Sequence, residues 1–396
     1  MSARSSDPGA PADRGLSLNR ILAVLTKEFI QLTRDRLTYA MILVMPIIQL
    51  MLFGYAINSD PRDLPTAVLV QDHGPMARST LSALAHNGYF KIVREAASPE
   101  ELDRAIARGE VQFALTIPAD FTRRVVRGDD AQILVEADAS DPAATGGAIA
   151  ALANLPRTAL SRDLVGPVAP ASGMGPDQDP FEVVIHRRYN PEAITAYNIV
   201  PGLLGVVLSL TLVMMTSLGM TREYERGTME SLLATPARPI EVMIGKLSPY
   251  VVVGLIQTVV ILVLARVLFS VPMGAGGLEG WYALALGVVL FILGSLSLGF
   301  LISTVARNQL QAVQMSFFYI LPSILLSGFM FPFRGMPAWA QALGSVIPVT
   351  HFLRVVRGSL LKGLGLPDLW TSLAALAVFV VAITAAAMSR YRRTLD

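Results

Sequence analysis

The chain has 396 residues, of which 53% are hydrophobic and 16% charged, and its mean hydropathy is +0.53; this is too apolar for a soluble enzyme of that length and marks a membrane protein. Lys and Arg number 32 against 30 Asp and Glu, so bulk positive charge gives no basis for nucleic-acid binding. The charge is unevenly spread, because residues 58–195 carry 13 basic and 19 acidic side chains, a net of −6, which leaves +8 for the rest. With no cysteine, disulfides, thiol nucleophiles and Cys-ligated metals are all excluded.

In chain order, residues 1–15 are rich in Ser, Ala, Pro, Gly and Asp and read as a disordered N-terminus. Leu18, Ile21, Leu22, Leu25 and Phe29 then recur at helical spacing, with Arg20, Lys27 and Arg34 elsewhere on the wheel. Residues 16–38 therefore read as an amphipathic helix in the membrane interface, the alternative being a helix packed on another subunit. A membrane span needs about 20 mostly apolar residues, and six stretches qualify: Tyr39–Ile57, Ile199–Met220, Pro249–Phe269, Trp281–Val305, Val313–Phe331 and Leu369–Met388. The first is preceded by a long segment, exceeds an h-region in length and lacks a small-residue cleavage site, so it reads as a span rather than a signal peptide.

Orientation follows from Lys and Arg near the spans. Arg20, Lys27, Arg34 and Arg36 precede the first; Arg222, Arg226, Arg238 and Lys246 lie between the second and third; Arg390, Arg392 and Arg393 follow the last. These positions place both termini in the cytoplasm and the insert, residues 58–195, outside. Arg334, Arg354, Arg357 and Lys362 run against the pattern, because they fall between the last two spans on the outward side.

The insert reads as an α/β domain. Thr66–Gln71, Phe90–Val93, Val111–Ile117 and Gln132–Glu136 are short β-rich runs, alternating with helical stretches such as Glu100–Arg108, and this alternation predicts a mixed or parallel sheet. Ser98, Pro99 and Glu101 supply a cap, a first-turn proline and a capping box for that helix. Asp138–Gly147 and Val165–Pro180 are rich in Pro, Gly, Asp and Ala, and the second is expected to be a flexible loop. The fold class is thus a mainly α membrane protein, six transmembrane helices with an inserted extracytoplasmic α/β domain.

Chemistry inside the spans is sparse. Arg266 is the one residue among Asp, Glu, Lys, Arg and His in the six stretches, one turn from a helix end, where it can snorkel; ion-coupled carriers usually need more. His73, His86, His186 and His351 show no metal-ligand spacing, and no Gly-x-Ser-x-Gly elbow occurs. Gly245-Lys246-Leu247 lacks the hydroxyl and the upstream glycine of a phosphate loop. No catalytic, cofactor or metal residues are assigned; nucleotide, if used, must be bound by another chain.

The segment after the second span carries the densest signal. Glu223, Glu225, Arg226 and Glu230 crowd its mouth, Gly227 can break the helix, Thr228 can cap a new one, and Met229, Leu232 and Leu233 form a small apolar face before Pro236. Such a helix suits docking to a soluble partner; the alternative is a solvated basic loop.

The run Glu223–Pro236 followed by Pro239–Lys246 resembles the signature of ABC-2 type transporter permeases, as do Lys27–Arg36, Phe53–Ile57, Gly328–Pro332, Met336–Trp339, Pro348–Phe352, Arg357-Gly358 and Lys362-Gly363. The resemblance frames nearly the whole chain; the insert matches mainly in size and position. It implies an elbow helix at 16–38, a first span at 39–57, the outer domain at 58–195 and five further spans within 196–396. It also implies a short outer helical hairpin before the sixth span and a coupling helix at 225–234 resting on a separate ATPase subunit, which would hold ATP and Mg. The partners expected are that ATPase, a second identical or related permease, membrane lipid and a periplasmic adaptor, with no nucleic acid. The function implied is the non-enzymatic permease subunit of an ATP-driven exporter in the inner membrane of a bacterial cell. The alternative is a membrane-anchored periplasmic binding or scaffold protein without transport; five further spans speak against it.

Overall fold

The computed structural model describes residues 61–164, 179–226, 239–273 and 276–390. The predicted elbow helix, the first span and the Val165–Pro180 loop, apart from its last two residues, lie outside the described residues.

The sheet domain comprises β1 (Leu64–Val70), α1 (Pro75–His86), β2 (Phe90–Glu95), α2 (Pro99–Ala107), β3 (Phe113–Ile117), α3 (Phe121–Arg127), β4 (Gln132–Asp138), α4 (Pro142–Leu152), α5 (Leu155–Ala159) and β5 (Glu182–Arg188). Its five strands run in the order β2-β1-β3-β4-β5. All pairs are parallel except β3 with β4, so the sheet is mixed, as the strand-helix alternation predicts. Period-2 alternation sends Leu64, Val68, Phe113, Leu115 and Ile117 to one face, where α1, α3, α4 and α5 cover them. Ala67, Leu69 and Ala114 go to the other face, against Leu102 and Ile106 of α2. Phe90 meets Phe113 edge to face at 5.1 Å. The edge strands β2 and β5 carry Lys91, Arg94, Glu182 and Arg187, charges that discourage further pairing.

Ser98 caps α2 as expected, accepting from Glu101 N at 3.4 Å, while the Glu101 carboxylate accepts from Ala97 N at 3.0 Å. The Asp138–Gly147 stretch is the end of β4 and the start of α4, with Asp141 as cap and Pro142 at the first helical position.

Five long helices follow: α6 (Thr195–Glu225), α7 (Pro239–Phe269), α8 (Gly277–Val305), α9 (Gln309–Leu326) and α12 (Leu366–Arg390). Each is long and apolar enough to cross a membrane, and they correspond to the last five predicted spans. Their most apolar windows are 56% and 67% buried in α6 and α8 but 17% and 22% in α7 and α12, so α6 and α8 form the centre of the bundle. The predicted fifth span ends earlier than expected: α9 stops at Leu326, and Gly328, in the left-handed region at φ +84°, turns the chain before Phe331. The predicted third span likewise begins earlier, because α7 starts at Pro239 and continues through Pro249.

Between α9 and α12 lies a hairpin of α10 (Ala338–Gly344) and α11 (Pro348–Arg357). Thr350 Oγ1 donates to Gly344 O at 2.6 Å, satisfying a carbonyl that the end of α10 would leave orphaned. The buried face of α11, including Phe352 and Val356, packs into the core formed with α6, α8 and α12, and Phe352 stacks on Phe291 at 4.2 Å. The hairpin implied by the family resemblance is therefore present as a packed element.

In an apolar medium helices are joined by close backbone approach and by polar side chains rather than by water expulsion. Ser217 and Ser316 join α6 to α9 at 2.9 Å, and Ser297 and Thr384 join α8 to α12 at 3.0 Å. At Gly299 a side chain on α8 would begin 2.7 Å from Val213 O of α6. Gly299→Leu should therefore cost about 1–3 kcal/mol by forcing the two central helices apart. Gly146→Ala in α4, where nothing lies within 4 Å, should be neutral or slightly stabilising; thermal unfolding of both variants tests this.

Candidate functional site

Both ends of α6 carry polar clusters, and the one at its C-terminal end is the one that the sequence singles out. At its C-terminal end Glu223 forms an ion pair with Lys246 of α7. Glu225, the last residue of α6, accepts from Gln309 N at 2.8 Å and from Gln309 Nε2 at 2.6 Å. That places a carboxylate on the first turn of α9, where unsatisfied N–H groups and the helix dipole favour it. Asn308 caps α9 by accepting from Gln311 N at 2.8 Å, and Gln311 Oε1 reaches back to Arg307 N at 2.9 Å. Arg226 is the exposed C-cap of α6. Of the residues assigned to coupling, Glu223, Glu225 and Arg226 thus lie at one end of the bundle, where Glu223 and Glu225 tie the end of α6 to α7 and α9. Gly227, Thr228, Met229, Glu230, Leu232 and Leu233 lie outside the described residues. Gln309 is absent from the sequence reading, although Asn308 followed by Gln311 is a capping-box signal.

At the N-terminal end α6 meets the sheet domain. The link from β5 is pinned by Asn190, fully buried, whose Oδ1 accepts from Ile194 N at 2.9 Å and whose Nδ2 donates to Ile194 O at 3.0 Å. One turn into α6, Asn198 Nδ2 donates to Asp141 Oδ1 at 3.1 Å. Burial pushes the Asp141 carboxyl above its ordinary value, against the opposing pull of the Arg357 charge.

A cavity of about 340 Å³ opens between the sheet domain, the hairpin and the start of α12. Its walls bring together the outward basic residues that break the charge pattern of the sequence. Lys362, in the π-turn Gly358–Lys362 that follows α11, pairs with Asp138 at the end of β4, and both side chains are at most 10% exposed. Lys362 Nζ also stands 5.3 Å from the centre of the Tyr189 ring. Arg334 donates to Gly109 O, and Arg108 meets Asp368 at 3.0 Å. These contacts fasten the sheet domain to the helical bundle. The signal was legible only as an anomaly, four cations on the wrong side, because the partners of Arg334 and Lys362 lie more than 200 residues away in sequence.

A multi-pass bundle carrying a mixed-sheet domain beside its second long apolar segment defines an integral membrane protein of transporter-like build. The chain belongs to the ABC-2 transporter family: residues 36–388 match the family model described as "ABC-2 family transporter protein". Similar proteins in Escherichia coli K12 include "Probable multidrug ABC transporter permease YbhS", 29% identical, the match covering 88% of this chain and 90% of that one. "Probable multidrug ABC transporter permease YbhR" is 27% identical over 95% of this chain and 99% of that protein. "Inner membrane transport permease YhhJ" is 28% identical over 81% and 84%.

The Lys362–Asp138 pair supplies a test of the domain junction. Asp138→Leu alone leaves a buried ammonium uncompensated and should cost about 3–5 kcal/mol, whereas the double variant Asp138→Leu with Lys362→Met should recover most of that loss. Unfolding of the singles and the double in one detergent measures the coupling.

Proposed function

We propose that the chain is the permease subunit of an ATP-driven exporter, with ATP hydrolysed on a separate ATPase subunit. The observation that carries this reading is the extent of the likeness. It covers about nine-tenths of both this chain and its relatives, so the whole architecture is shared rather than one module, and those relatives are named as ABC transporter permeases. Segment 39–57 supplies a sixth span, which puts both termini on one side, and the basic residues flanking the spans favour the cytoplasm of a bacterial cell. The sheet domain then stands outside the inner membrane, where an adaptor can reach it.

The ATPase docks on the coupling segment 225–234, and the locked ends of α6, α7 and α9 receive its motion. A ligand shifts a conformational equilibrium only through differential contacts with the two states, so ATP binding must change how the ATPase grips this segment. Export needs a second permease copy, identical or related, to close the pathway. The outward faces of α7 and α12, which expose Val259, Val263 and Val267 and also Val378 and Val381, supply apolar surface for lipid or for that second copy.

In this proposal Gly227 breaks the chain between α6 and the coupling segment. A bulky side chain there, as in Gly227→Trp, should abolish transport in reconstituted vesicles while leaving ATPase binding measurable. Wild-type transport by the variant refutes the coupling role. Co-purification of an ATPase from native membranes, and transport stimulated by nucleotide only in its presence, tests the permease reading as a whole.

A further inference from the structure

The cavity between the sheet domain and the hairpin holds more positive charge than its own carboxylates match. Five cations line it, Arg108, Arg334, Arg354, Arg357 and Lys362, against Asp138, Asp141 and Asp368. Arg108 and Lys362 are paired with Asp368 and Asp138, and Asp141 accepts from Asn198 and from Ala143 N at 3.2 Å.

The other three guanidiniums form no ion pair among the described residues. Arg334 and Arg357 reach only backbone carbonyls, Gly109 O and, at 3.1 Å, Gly328 O. Arg354 lies over the Phe333 ring, 5.1 Å from its centre. The Nε and Nη2 atoms of Arg357 are buried and have no acceptor among the described residues; Nη2 lies 3.6 Å from where a side chain would begin at Gly202 of α6. Burial holds Arg334 below its usual guanidinium range, and the neighbouring Arg354 charge pushes in the same direction.

Buried donors without acceptors and cations in excess of the carboxylates around them are both unfavourable. An anion entering the cavity relieves both at once. We propose that this cavity binds a phosphate-bearing group, with Arg354 and Arg357 holding the oxyanion and Arg334 adding charge at the rim. A phosphate presents enough oxygens to accept from two planar guanidinium forks together, which is the geometry for which arginine is suited. The volume suits a headgroup rather than a whole lipid, and Leu353, Leu364 and Leu369 on the same wall give an attached apolar portion a surface to lie on. A phospholipid headgroup and free phosphate present the same chemistry. The site requires no ATPase, so it stands or falls separately from the permease reading.

The test uses the full chain purified in maltoside, a detergent without phosphate. Inorganic phosphate and phosphatidylglycerol are titrated separately, with diacylglycerol as the uncharged control. Saturable binding of phosphatidylglycerol is expected, weakened at least tenfold in Arg354→Gln at an unchanged unfolding temperature. Arg354 is itself exposed to the cavity, so this variant should fold; Arg357→Lys, which keeps the charge but loses the fork, should weaken binding as well. Competition by inorganic phosphate would assign the site to any phosphate oxyanion, and its absence to the lipid form; both support the proposal. Failure of wild-type protein to bind either probe, binding of diacylglycerol equal to that of phosphatidylglycerol, or wild-type affinity in Arg354→Gln overturns it.

Discussion

A single uninterrupted helix ties the two ends of the molecule together. The 31 residues of α6 extend about 46 Å at the α-helical rise. Its start is braced by Asn190 on Ile194 in the link from β5, and its first turn is fixed to the sheet domain through Asn198 on Asp141. Its last turn is fixed to α7 and α9 through Glu223 and Glu225. Between these points the helix is held against α8 and α9 by the approach at Gly299 and by the Ser217–Ser316 contact. Because the interior is close-packed, displacement of one end cannot be absorbed by loose side chains along the way. It must move neighbouring helices or the sheet domain.

The hairpin completes the junction at the sheet-domain end. Its apolar face lies in the bundle core while its cations face the cavity, so α11 serves both layers. Desolvating a charge is unfavourable, and the structure offsets that cost for buried Lys362 with Asp138, while exposed Arg108 meets Asp368. Arg354 and Arg357 form no ion pair among the described residues, although the Asp141 and Asp138 charges favour Arg357 from a distance. The uneven distribution separates a structural role, fastening two domains, from a binding role in the same cavity.

Much of the architecture was legible from local pattern. Uninterrupted apolar stretches marked the five described spans, because the hydrocarbon thickness imposes a length that few other structures need. β1 to β4 were legible as β-rich runs bounded by turn residues, and the Ser98 cap as a spacing. Strand β5 was not, because Glu182–Arg188 mixes three apolar residues with charges and is half exposed along an edge. The ends of α7 and α9 were misplaced because hydropathy does not sense Gly328 in a left-handed conformation, nor a helix that continues through Pro249. Of the candidate sites, the cluster of Glu223, Glu225 and Arg226 was legible as local charge density. The cavity was not, since Lys362 with Asp138 and Arg334 with Gly109 join residues 224 and 225 positions apart, and no local pattern reports such pairs.

The central claim is that the sheet domain and the helical bundle are one mechanical body. The absence of native cysteine allows spin labels to be placed cleanly at Val184 on the sheet edge and at Val346 beside the hairpin, both exposed. Pulsed electron-electron resonance on the purified chain should give a single narrow distance distribution, broadened when Asp138 and Asn198 are both replaced by Ala. A broad or two-peaked distribution in the otherwise unaltered chain would contradict the claim.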